Sequence, residues 1–382
     1  MATLPLQSVS GTVRSNGRRR ILYLMHVDWR WIKQRPHFLA EALSTEHDVH
    51  VLHPLIFRNR SPITRGEVGV PRSPLLPIPW DWKAIRWARW LHWQWVTHIA
   101  RQFRPDTIWV THPSLMYFIP ERLMELPIIY DCMDDAFTLV CHEHEIPQLK
   151  QLEQKLVRCS ARILCSSNYL GKTLVDRYAR DASEKLFVVR NAVSAKLVAG
   201  SLAPWKTKQV GHAAGARCKI AYFGTVAEWL DFDMLLACLS ENPNVEFHLI
   251  GPAQGESLPS HERLHYHGAV AHDKLREYVA PFDTFLIPFQ LIPLIQAVDP
   301  VKIYEYLAFG KEVISVQYPE IDRFGDFVHF YKTRSEFIQL VDALAAGKLP
   351  LKNCPEVTRP FLEQNTWETR VERISDLLNS LE

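Results

Sequence analysis

Short apolar runs alternate with helical segments along this chain, and the alternation occurs in two series. Ile21-Leu22-Tyr23-Leu24-Met25 opens the first. A polar loop from His26 to Trp31 follows. Then comes a segment from Arg35 to Leu43 with Phe38, Leu39, Ala42 and Leu43 on one side, and after it Val49-His50-Val51-Leu52. Apolar runs this short, bounded by turn residues, read as strands buried on both faces. Parallel neighbours need a crossover, so strand–loop–helix–strand order implies a parallel, doubly wound sheet. The first series continues through Thr107-Ile108-Trp109-Val110, Pro127-Ile128-Ile129-Tyr130 and Ile163-Leu164-Cys165, and closes at Leu186-Phe187-Val188-Val189. The second restarts at Lys219-Ile220-Ala221-Tyr222-Phe223. It runs through Val245 to Ile250, Leu264 to Gly268, Thr284 to Ile287 and Val313 to Val316, and ends near Phe327 to Tyr331. The expected fold class is α/β, with two doubly wound halves facing a central cleft, the preferred place for a ligand.

The expected boundaries are a disordered leader over 1–19, a first domain over 20–200, a linker over 201–217, a second domain over 218–358 and a closing segment over 359–382. A chain of 382 residues supports two such cores. Formal net charge is +2, which gives no case for a nucleic-acid partner. The seven cysteines are scattered without metal-ligand spacing, as expected of reduced thiols in a cytoplasmic protein. No apolar run reaches membrane-spanning length, and the first twenty residues lack a signal-peptide core. The unusual composition is in tryptophan: six of the twelve fall between Trp80 and Trp95, beside Lys83, Arg86 and Arg89. Trp80, Trp87, Trp90 and Leu91 can share a stripe at helical spacing, with Trp95 a further candidate member. One reading is a helix with a Trp-heavy buried side. The other is peripheral contact with the inner leaflet of a membrane, where indoles and basic neighbours suit the interface.

The pivotal stretch runs from Asp299 to Gly310. Pro300 fits a first helical turn and Asp299 before it suits an N-cap. A helix that follows a strand and loop aims its N-terminus at the edge of the sheet where anions bind. Lys302 and Glu305 lie three residues apart, so both can face one ligand: a phosphate for the lysine, ribose hydroxyls for the glutamate. An amphipathic helix with a solvated Lys–Glu pair is the competing reading. Two other loops sit where such folds bind ligands. The first carries Asp28, Trp29, Gln34 and Arg35. The second carries Asp131, Asp134 and Asp135, with His112 one strand earlier. Its carboxylates can take protons, hold acceptor hydroxyls or bind a hard cation; the competing reading is a helix N-terminus dressed with acids.

In order and spacing these signals resemble a GT-B glycosyltransferase of the family-4 (group 1) type, in the branch that includes teichuronic-acid-type transferases. The resemblance rests on Gln34-Arg35-Pro36, Tyr130 to Asp135, Arg190-Asn191-Ala192-Val193, Gly224, Glu228 to Phe232, Ile250-Gly251 and above all Lys302 to Lys311. It implies two Rossmann-like domains and a last helix that crosses back onto the first. It makes Glu305 the ribose carboxylate, Gly224 and Thr225 the turn approaching the donor diphosphate, Gly251 a wall near the base, and Lys302 the phosphate cation. Ala297 stands where the family has a first glutamate against the donor sugar, with Asp299 one substitute. The lysine that usually follows the restart turn is absent, so Lys302 or Arg190 supplies that charge. The implied reaction moves a sugar from a nucleotide diphosphate sugar to a hydroxyl of a glycan, expected to be lipid-linked, in bacterial cell-surface polysaccharide synthesis. Configuration is retained, with no metal and no cofactor beyond that co-substrate. Asp131, Asp134 and His112 are the catalytic candidates; Asp28, Trp29, Gln34 and Arg35 form the acceptor side. A nucleotide-sugar epimerase of the same build, or a silent glycan-binding subunit, is the alternative.

Overall fold

The computed structural model describes residues 17–55, 69–76, 86–138, 143–200, 217–254 and 258–381. Most of the expected leader, Trp80, Trp82 and nearly all of the expected linker lie outside them. The first domain is a seven-stranded parallel sheet. Its strands are β1 (Arg20–Leu24), β2 (Asp48–His53), β3 (Arg72–Pro74), β4 (Thr107–Val110), β5 (Ile128–Cys132), β6 (Ser160–Cys165) and β7 (Leu186–Val188). They lie side by side in the order β3-β2-β1-β4-β5-β6-β7. The second sheet holds β8 (Cys218–Phe223), β9 (Val245–Ile250), β10 (Leu264–Gly268), β11 (Thr284–Ile287), β12 (Glu312–Val316) and β13 (His329–Tyr331). Its order is β10-β9-β8-β11-β12-β13, again all parallel. Each sheet therefore reverses direction beside its first strand, between β1 and β4 and between β8 and β11. Ligands of open parallel sheets bind at such switch points, past the C-terminal ends of the strands.

Helices on both sides of each sheet explain the near-continuous apolar strands: Ile21, Leu22, Tyr23 and Leu24 are all fully buried. The last helix, Trp367–Asn379, belongs to the second half by sequence but packs on the first domain. Trp367 stacks on Phe38 with ring centroids 5.5 Å apart, and Val371, Ile374 and Leu378 join the apolar cluster of Ile21, Tyr23 and Leu39. A Thr366–Thr369 capping box fixes where the helix begins, and the backbone N–H of Trp367 donates to the carbonyl of Val193.

The Arg86–Phe103 helix turns its stripe the other way from the buried reading. Ala88, His92, Val96, Ile99 and Ala100 face inward, while Trp87 and Trp90 are 53% and 56% exposed and Leu91 is exposed beside them. Trp95 is half-buried against the first-domain core, and its indole donates to the carbonyl of Pro74 at 2.9 Å. The small side chains of Ala88 and Ala100 permit a close approach to the sheet that indoles do not. Among the described residues no helix is long and apolar enough to cross a membrane.

Candidate active site

Between the two sheets lies a cleft of about 390 Å³, within the usual range for a small-molecule site. Its second-domain wall is built at the end of β8. Gly224 has φ +143° and Gly251, at the end of β9, has φ +145°. The two turns touch: a Cβ on Gly251 would stand 1.9 Å from the carbonyl oxygen of Gly224. A Cβ on Gly224 would stand 1.9 Å from Cε of Lys302. Both positions demand glycine for conformation and for space. Tyr306 locks the turn from beneath, its hydroxyl accepting the N–H of Phe223 at 3.0 Å.

The helix that aims at this wall spans Val301–Ala308. Its N-cap is Pro300, and no side chain caps it, so Asp299 does not play the capping part its position suggests. The first amides therefore point toward the Gly224 turn with the positive end of the helix dipole. Lys302 lies across that turn, with its ammonium 5.7 Å from the Tyr222 ring and 6.0 Å from the Phe289 ring. No carboxylate approaches it within 4.0 Å among the described residues. Burial lowers its pKa, an effect opposed by the fields of Glu305 and Asp134. A half-buried cation with no ion-pair partner among the described residues is suited to an incoming anion. One turn on, Glu305 is 6% exposed and accepts a bond from His272 Nε2 at 2.7 Å. Burial works against protonating His272, yet the bond and charge of Glu305 carry its pKa above the ordinary value.

Across the cleft, Asp134 is the first-domain carboxylate in the lining. Burial lifts its carboxyl to about 6, with Arg35 pulling it down and Asp131 pushing it up. His26 and Met133 line the same side. Burial holds the His26 imidazole neutral, with its pKa near 4, and Nδ1 lies 2.8 Å from the Thr111 hydroxyl.

The expected site residues divide on this geometry. Gly224, Thr225, Gly251, Lys302, Glu305, Asp134, Gln34 and Arg35 line the cleft. Asp131 does not. It is fully buried and its carboxylate is consumed by Arg35, with Nη2 to Oδ1 2.7 Å and Nε to Oδ1 3.0 Å. Arg35 is therefore tied to a structural partner and not available as an acceptor-side cation; its remaining arm bonds Asn191 Oδ1 at 3.1 Å. Asp299 lines the cleft, but its carboxylate is also engaged. Asn191 N–H donates to it at 2.7 Å, and Arg323 donates to its other oxygen. That engagement ties the two domains together and takes the place of a donor-sugar contact. Asp28 is bound by Arg30 at 2.6 Å, and Trp29 packs against His37 and Arg72; neither reaches the cleft. His112 also lies outside it, held by the Ser114 hydroxyl at 2.8 Å and the His26 ring at 5.0 Å. Arg190 pairs with Glu320 at 2.9 Å and supplies no charge to the cleft. Asp135 is bound by Arg177 at 2.6 Å. Ala297 is 1% exposed and joins the apolar cluster of the first domain, so a carboxylate there would be buried without a partner in that cluster. Sequence reasoning missed His272, Asn191 as a hinge ligand, and the apolar floor of Leu294, Ile295 and Val298.

No protein-family model matches the chain. Over 209 residues it is 27% identical to a protein of Bacillus subtilis provisionally named as the teichuronic acid biosynthesis glycosyltransferase TuaH. The match takes in 51% of this chain and 52% of that one, so the chain spans about half the length of the curated relative it matches. Among solved structures, HepE of Anabaena in complex with UDP and glucose superposes with a TM-score of 0.67 at 14% identity, over 95% of this chain and all of that one. Sucrose-phosphate synthase of Thermosynechococcus elongatus gives 0.67 at 13%, covering 95% and 99%. WaaG, a glycosyltransferase involved in lipopolysaccharide biosynthesis, gives 0.64 at 12%, covering 94% and 99%. Likeness at these identities speaks for architecture. With its two parallel sheets, facing switch points and returning last helix, the chain has the GT-B fold.

Proposed function

We propose that the protein is a glycosyltransferase that moves a sugar from a nucleotide diphosphate sugar to a hydroxyl of an acceptor glycan in bacterial cell-surface polysaccharide biosynthesis. One observation carries this reading. A lysine with no ion-pair partner among the described residues, an uncapped helix N-terminus and two touching glycine turns converge on one point of the cleft, with a buried carboxylate one helical turn further on. That set fits a diphosphate and a ribose. The name of the Bacillus relative and the complex of HepE with UDP and glucose support the same substrate class.

In the proposed reaction the bond from the anomeric carbon to the β-phosphate oxygen breaks, and its electron pair leaves with the diphosphate. Lys302 and the amides at the start of the Val301–Ala308 helix meet the charge that develops on that oxygen. The acceptor oxygen bonds to the anomeric carbon from the face that the diphosphate leaves, which keeps the configuration, and Asp134 holds that hydroxyl and takes its proton. A carboxyl near pH 6 suits a base at neutral pH. Glu305 receives the ribose hydroxyls, replacing its bond to His272. The apolar floor over Leu294 and Ile295 faces the sugar in place of the family's first glutamate. These cationic groups leave the diphosphate without need of a metal. Retention of configuration and a lipid-linked acceptor belong to the same proposal and rest on the resemblance of the sequence motifs.

The outward face of Trp87, Trp90 and Leu91 supports peripheral contact with an anionic bilayer. Co-sedimentation with anionic liposomes at low salt, reduced by replacing Trp87 and Trp90 with Ala, is the expected result; no sedimentation removes this part of the proposal. For the reaction itself, the protein is incubated with a panel of nucleotide sugars, with and without acceptor glycan. Donor turnover that depends on acceptor is expected. Interconversion of the donor alone would favour an epimerase, and neither turnover nor donor binding would defeat the reading.

A further inference from the structure

The outer edge of the second sheet carries a group of imidazoles that takes no part in the cleft. On paired parallel strands, His248 of β9 stands opposite His265 of β10. Glu246 lies two residues before His248 and so leaves the same face of the sheet. Its carboxylate reaches both rings: Oε1 is 3.0 Å from His248 Nε2, and Oε2 is 3.8 Å from His265 Nε2. The ligand atoms of all three residues lie within 4.8 Å of one another. Behind them, His248 Nδ1 is 2.9 Å from His267 Nε2, and His267 Nδ1 is 2.8 Å from the Tyr278 hydroxyl.

This chain of bonds has two polarities. In one, Tyr278 donates to His267, His267 to His248, and His248 to Glu246, so a proton lies between the last pair. In the other the two bonds behind His248 reverse, and its contact with Glu246 loses its proton. His248 donates through Nδ1, and its Nε2 lone pair faces a carboxylate oxygen 3.0 Å away. Two lone pairs at that distance repel unless a cation lies between them. A tetrahedral zinc ion with ligands at about 2.0–2.1 Å sets ligand atoms about 3.3 Å apart, and the two measured separations fall on either side of that spacing.

We propose that Glu246, His248 and His265 form a binding site for a divalent transition metal of the zinc class, which clasps edge strand β10 to β9. Two imidazoles and one carboxylate are a known zinc set that leaves a position for water. His267 and Tyr278 form the outer bonds that fix the ring of His248, and Phe282 packs on that ring at 4.8 Å. Lys219, 3.6 Å from Glu246 Oε1, is the resident competitor; its side chain is 46% exposed and free to swing into water. None of the three ligands lines the cleft.

The test uses the full chain, stripped with EDTA and desalted, then titrated with zinc chloride by calorimetry and followed by thermal denaturation. A single tight equivalent and a rise in Tm are expected. His265→Ala, at a half-exposed position, and Glu246→Gln should abolish both, and His267→Gln should weaken binding about tenfold. Cobalt substitution should give the visible absorption of a tetrahedral site in the native chain and none in His265→Ala. Circular dichroism of the variants separates lost binding from lost folding. No uptake by the native chain, or equal uptake by native chain and folded His265→Ala, would overturn the proposal in favour of the protonated network.

Discussion

Replacing Asp134 by Asn should make the protein more stable and its transfer reaction slower. The carboxyl is lifted from its ordinary value of 3.8 to about 6 because burial penalises its charge. A difference of about 2 units corresponds to roughly 3 kcal/mol when the group is ionised. An amide still needs partners in that setting, so a net gain of about 1–2 kcal/mol is expected at pH 8. The sign follows from linkage. A carboxyl raised on folding destabilises the native state fully above its folded pKa. That penalty shrinks as pH falls through about 6 and is gone below the unfolded value. The stability gap between variant and native chain should therefore be widest at pH 8 and close toward pH 4. Urea denaturation across that range measures it. Activity should fall by about 10²–10⁴-fold if the carboxylate accepts the hydroxyl proton, and native turnover should decline as pH drops below 6. A variant that is less stable at every pH, a gap that does not change with pH, or near-native turnover would refute the reasoning.

Other perturbations separate support from function. Lys302→Met should hold or raise Tm, because burial disfavours its charge, while affinity for a nucleoside diphosphate falls at least tenfold by calorimetry. Gly251→Ala should cost more than about 2 kcal/mol in urea denaturation, since its Cβ meets the Gly224 carbonyl. Gly268→Ala, with φ +68° and open space around it, should cost only about 1 kcal/mol. Arg35→Met leaves Asp131 buried and unpaired and should cost about 3–5 kcal/mol by denaturation; adding Asp131→Leu should recover much of it.

The strands were readable because both their faces are covered, which turns Ile21 to Leu24 or Phe285 to Ile287 into unbroken apolar runs. Their ends mark the loops where Gly224, Gly251, Lys302 and Glu305 were found. Sequence could not tell which polar side chain already has a partner. Asp131 and Asp134 look alike in the chain, yet Arg35, from 96 residues away, consumes one and leaves the other facing the cleft. Asp299 is spent in the same way on a loop and an arginine from other elements. Helical periodicity revealed a tryptophan stripe but not its direction. The deciding signal was the small Ala88 and Ala100 on the opposite face. His272 gave no local signal, because its meaning comes only from Glu305, 33 residues away.

The most direct test of the account is calorimetric titration of the native chain and Glu305→Gln with uridine, adenosine and guanosine diphosphate sugars. The account predicts that one base class binds the native chain, and that the variant binds it roughly ten- to a hundredfold more weakly, the loss expected for charge-assisted bonds to two ribose hydroxyls. Failure of every nucleotide sugar to bind, or equal affinity in the folded variant, would contradict it.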